Sequence, residues 1–198
     1  MPNPLLHLGF EIPFDEIDAG HVEPAVDELL TQARAAVDRI AKNEGPRTYD
    51  NTLGALEAAT EPLEQAMTAV GHLESVATTD ALRDAYNAVV PKASAFWAEL
   101  AMNDELYQAV RAFSKTDEAN ELEPTRKRFL EKTLDDFRRH GAELDSNDKK
   151  KLQAIEIELT QLTTKFSQNV LDETNAFELV LTEEDKLAGL PELSLIHI

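Results

Sequence analysis

The chain has 198 residues, 42% of them apolar, which suits one domain or one large piece of a larger body. Lys plus Arg number 19 and Asp plus Glu 38, a formal net charge of −19 that repels phosphate backbones and excludes nucleic acid as a partner. Cysteine is absent, which excludes disulfides and thiolate chemistry, and no apolar run reaches the ~18 residues that a membrane span needs.

Residues 1–20 carry Pro2, Pro4 and Pro13 among short apolar clusters and read as an extended arm on a core. Residues 1–10 lack a basic region followed by an apolar core, so no signal peptide is expected and a cytoplasmic location follows by default. A first helix is predicted over about residues 22–43. Its stripe is Val22, Val26, Leu29, Ala33, Val37 and Ile40, and Gly45-Pro46 stops it. Asp50 or Asn51 caps a second helical stretch, with a kink or restart expected near Thr60 because Pro62 lies inside it. Leu63, Met67, Val70 and Leu73 line one face beyond the proline. Asp80 caps a third stretch with Pro91 in its interior and Phe96, Trp97 and Leu100 at its heavy end.

Asp104 to Phe113 gives a short helix, and the polar run Lys115 to Asn120 a loop. Pro124 suits the first turn of the next helix, with Phe129, Leu130, Leu134 and Phe137 facing inward and Gly141 ending it. The longest periodic run follows. Leu152, Ile155, Leu159, Leu162, Phe166 and Val170 are spaced 3, 4, 3, 4 and 4, and Asp145 or Ser146 can cap the start. A helix over about 147–174, roughly 40 Å long, reads as a spine against which the shorter helices pack. Phe177 to Leu181 alternates like a short strand. The fold class is therefore all-α, about six helices in a bundle-like arrangement with at most one short strand near 177–181.

The chemistry is sparse. The five histidines are His7, His21, His72, His140 and His197, and none is four residues from another, so HExxH is absent. Glu-x-x-His is absent as well. Asp18-Ala-Gly-His21 is the nearest approach, and Gly20 suits a turn better than a metal-binding helix. His72 and Glu74 point to different sides of a helix. The seven glycines form no phosphate loop, GxSxG is missing, and Trp97 has no basic interleaving for base stacking. No catalytic, cofactor-binding or metal residue is assigned from these residues: catalytic none, cofactor-binding none, metal none.

Several segments nevertheless resemble the oligopeptidase A and thimet oligopeptidase family of zinc metallopeptidases. They are NPLL at 3–6, FDEIDAGHVEPAVDELL at 14–30, TYDNTLGALEAATEPLEQAMTAVGHLESV at 48–76, LRDAYNAVVPKASAFWAEL at 82–100, RRHGAELD at 138–145 and KFSQNVLDETNAF at 165–177. The last two are the most specific. The resemblance implies a large, mostly helical cytoplasmic enzyme that hydrolyses short peptides in a deep channel. Its zinc is held by the two histidines of HExxH and a distal glutamate, with the motif glutamate as general base. Those residues lie downstream of anything matched here, so residues 1–192 resemble only the N-terminal helical region, one wall of the channel. Zinc is expected in the full-length enzyme and not in this fragment, which is expected to be inactive alone. Its partners would be short peptides and the missing C-terminal catalytic region. The alternative is a free-standing acidic helical interaction module without activity. Residues 193–198, LSLIHI, follow the family-like text without helical logic. They match the translation of a transposon-end sequencing adaptor and are expected to be a non-native tail.

Overall fold

The computed structural model describes residues 3–191; the expectation for 193–198 lies outside them. The order is a short arm with single turns at Pro4–Leu6 and Phe14–Glu16, then α1 (Ala19–Ala41), α2 (Ala55–Val76), α3 (Asp80–Ala101), α4 (Asp104–Phe113), the single-turn α5 (Asp117–Asn120), α6 (Pro124–Arg139) and α7 (Ser146–Ala176), with a final turn at Glu184–Leu187. The fold is all-α. Two compact units divide at Thr163 and Thr164.

In the first unit, α1 is the centre: it packs against α2, α3, α4 and the Pro4–Leu6 turn. Its stripe is the one read from the sequence, with Val22, Val26, Leu29, Ala33, Val37 and Ile40 all buried. The helix begins three residues earlier than expected because Asp18 caps it. The Asp18 carboxylate accepts from the Gly20 N–H at 2.8 Å, and the Asp18 N–H donates to His21 Nδ1 at 3.2 Å. Gly20 therefore lies in a helical first turn, not in the turn its residue type suggested.

Pro62 does not interrupt α2. Leu56 and Leu63, two turns apart, are both buried on the core face and hold the axis across it. Pro62 and Ala58, whose carbonyl would have received the missing N–H, are both exposed, where an unmade backbone bond costs least. α3 likewise runs through Pro91. The polar run at 115–120 is not all loop: the Thr116 hydroxyl accepts from the Ala119 N–H at 3.2 Å and caps the one turn of α5. α6 ends at Gly141, whose φ of +87° only glycine adopts readily, and a Cβ there would lie 2.6 Å from Leu144 Cδ1.

α7 confirms the predicted long helix, capped by Asp145, whose carboxylate accepts from the Asn147 and Asp148 N–H groups at 2.8 and 2.9 Å. It is not the spine: no residue of α7 is buried. The strand expected at 177–181 does not form. No strand exists among the described residues, so Phe177 to Leu181 has no edge to pair with and stays irregular.

Candidate functional site

Charged pairs tie the helices of the first unit together at their surface. The Lys92 ammonium donates to Asp27 at 2.8 Å, and Arg34 pairs with Glu99 while lying 5.4 Å above the Phe96 ring. At the α2–α3 turn the sequence hid one feature. Glu74 is buried, 3.4 Å from Arg83 Nε, and burial together with the Glu74 charge pushes the Tyr86 phenol above its ordinary pKa. The signal was present: Leu63, Val70 and Glu74 continue one helical face, so a carboxylate occupied a core position. The pair is structural, joining two antiparallel helices.

Among the described residues the histidines do not converge. His21 closes the α1 cap, His72 packs at a tilt against Phe14 with centroids 5.5 Å apart, His140 Nδ1 lies 2.8 Å from the Asp136 carbonyl, and His7 is exposed on the arm. Among the described residues no group of three or more His, Cys, Asp or Glu side chains could hold a metal ion. None of their helices is long and apolar enough to cross a membrane.

What stands out is α7. In the first unit its start is pinned by Lys149, which donates to the Met102 carbonyl at 3.1 Å and pairs with Asp104, and its middle by a 2.8 Å hydrogen bond between the Ser94 and Thr160 hydroxyls. Leu152 and Ile157 are half-buried, whereas Ile155, Leu159 and Leu162 are exposed by 57 to 60%. In the second unit Phe166, Val170 and Phe177, with Asn169, Glu173 and Thr174, line an open apolar groove. The larger apolar residues of the predicted stripe are thus turned to solvent, an exposed face of the kind that binds something.

The arrangement of α1 to α6 and the start of α7 coincides with a known domain. The family model described as Neurolysin/Thimet oligopeptidase, N-terminal domain, matches residues 26–151. The chain belongs to this family. It is similar to oligopeptidase A of Escherichia coli, 33% identical over 196 residues that cover 98% of this chain and 29% of that protein. It is also similar to two Arabidopsis thaliana proteins, each 32% identical over 193 residues and 98% of this chain. One is named a probable cytosolic oligopeptidase A, of which 27% is covered. The other is named an organellar, chloroplastic/mitochondrial oligopeptidase A, of which 24% is covered. The chain spans less than a third of the length of the curated relatives it matches. The family resemblance noted in the sequence is therefore correct for the N-terminal region, and the open face of α7 begins where the matched domain ends.

Proposed function

We propose that this chain is the N-terminal helical portion of a cytoplasmic zinc-dependent oligopeptidase that hydrolyses short peptides in a deep channel. The observation that carries the reading is the coverage: nearly all of this chain aligns with proteins named oligopeptidase A, yet it accounts for only 24 to 29% of their length. The described residues offer no ligand set for a catalytic zinc, since such a site needs about three convergent protein ligands. No step through the metal is therefore assigned to them. The chain's own contribution is scaffolding: α1 to α6 form a stable body, and the exposed apolar residues of α7 dock on the catalytic region that would follow.

The test uses the chain alone. Incubated with an internally quenched peptide and added zinc, it gives no turnover; metal-dependent turnover that survives further purification overturns the proposal. Extension of the reading frame into an HExxH helix supports it, whereas a reading frame without one points to a free-standing helical interaction module.

A further inference from the structure

Two grooves meet on α2, and both lie in the first unit. One runs between α2 and α3, lined by Glu64, Met67, Thr68, Gly71, Tyr86 and Trp97. The other runs between α2 and the N-terminal arm, where Leu8, Gly9 and Ile12 face Glu61, Glu64 and Thr68. Glu64 and Thr68 form the ridge they share. The first groove mixes apolar and polar lining, Met67 and the two aromatic rings beside Glu64 and Thr68. Gly71 faces the Tyr86 ring across the groove, and a Cβ there would lie in van der Waals contact with Tyr86 Oη at 3.4 Å. Trp97 is braced edge-on against the buried Phe96 ring, with centroids 5.1 Å apart.

The charge of the ridge is one-sided. Glu61 accepts a hydrogen bond from Gln65 at 2.9 Å. Glu64 is exposed and has no ion pair or hydrogen bond among the described residues. No lysine or arginine lines either groove, and the whole chain carries −19. A carboxylate without a partner, beside an indole and a phenol, is complementary to one kind of side chain: a long cation whose stem is apolar. On the far side of the ridge, Leu8 and Ile12 add apolar lining to the second groove.

We propose that these grooves bind a short peptide that presents a lysine or arginine beside an apolar residue. The cation lies against Trp97 and Tyr86 with its charge on Glu64, and the apolar neighbour fills the second groove at Leu8 and Ile12. The choice of a short peptide as occupant rests on the function proposed above. The site itself belongs wholly to this chain, so its failure leaves the family assignment and the activity test untouched.

Trp97 is the chain's single tryptophan and reports directly on the groove. The probe is a blocked pentapeptide with a Leu-Arg-Leu centre, compared with the same peptide carrying citrulline or glutamate in place of arginine. The expected result is a saturable change in Trp97 emission that weakens with added salt. Citrulline binds about tenfold more weakly, and the glutamate peptide does not saturate. Glu64→Gln, at an exposed position that leaves the fold intact, loses the same factor of about ten for the arginine peptide and abolishes the difference between arginine and citrulline. Absence of saturation at millimolar peptide overturns the proposal. So does equal affinity of E64Q for the arginine peptide, or calorimetric binding that leaves Trp97 unchanged.

Discussion

Two leucines of the first unit separate the centre of the fold from its periphery. Leu106 on α4 is fully buried, at 0% exposure, and Leu159 on α7 is 57% exposed. Truncating Leu106 to alanine removes a side chain whose burial stabilises by up to about 3 kcal/mol and leaves a cavity that the α1–α4 packing fills only in part, so Leu106→Ala costs about 3–4 kcal/mol. Leu159 keeps less than half of its surface covered, so the same truncation forfeits about 1 kcal/mol at most, and the better helix propensity of alanine returns a few tenths. With a urea slope of about 2 kcal/mol per molar, Leu106→Ala lowers the midpoint of unfolding by about 1.5–2 M, and Leu159→Ala by less than about 0.5 M. Far-ultraviolet circular dichroism across a urea series measures both. If Leu159→Ala destabilises as much as Leu106→Ala, α7 is part of the core and the view that its apolar face is vacant is wrong.

Other sites give sharper local outcomes. Gly141→Ala forces a left-handed backbone on a residue with a Cβ and drives that Cβ into Leu144, so it costs about 1–3 kcal/mol in the same urea assay and loosens the joint between α6 and α7. Glu74→Ala removes a buried carboxylate 3.4 Å from Arg83 Nε and destabilises by about 1–3 kcal/mol, whereas truncation of the exposed Glu64 changes stability by less than about 0.5 kcal/mol. Tyr86 has a raised pKa in the folded chain, caused first by burial and then by Glu74. The unfolded phenol therefore ionises first as pH rises beyond about 10, so the Tyr86 contribution to stability is full below that pH and is lost as pH climbs through the folded value. Tyrosinate absorbance should show a late-titrating component that is lost in Tyr86→Phe.

Much of the body was legible because its elements obey local rules. All six residues of the α1 stripe are buried, joined by Ala25 and Leu30, which widen the face, and the cap at Asp145 and the stop at Gly141 follow from residue type. The misreadings came where tertiary context outranks a local preference. Pro62 carries a real penalty, but Leu56 and Leu63 lock the same face on both sides of it and the unmade bond lies on the exposed side, so the helix persists. The early start of α1 depended on His21 returning a bond to the Asp18 N–H, a capping role normally sought in Glu or Gln. Phe177 to Leu181 alternates correctly for a strand, yet alternation specifies only which side chains share a face, and a strand also needs a backbone partner.

The hardest feature to read was the one of most consequence. A period of 3.6 residues reports that one face of α7 is meant to be covered; it does not say by what. Taken as the core of a complete domain, the stripe from Leu152 to Val170 made α7 the spine. Polar bonds through Lys149 and the Ser94–Thr160 pair hold the helix in the first unit, where Leu152 and Ile157 are half-buried while Ile155, Leu159 and Leu162 lie open. A sequence cannot distinguish these cases from hydrophobic periodicity, because burial within a domain and burial against a neighbouring region impose the same spacing. The comparison adds what periodicity lacks: the chain covers less than a third of the length of the relatives it matches, and the reading proposed above assigns the cover of this face to the remainder. An exposed apolar face is written in spacing and residue type and carries no motif, so a search for catalytic motifs passes over it.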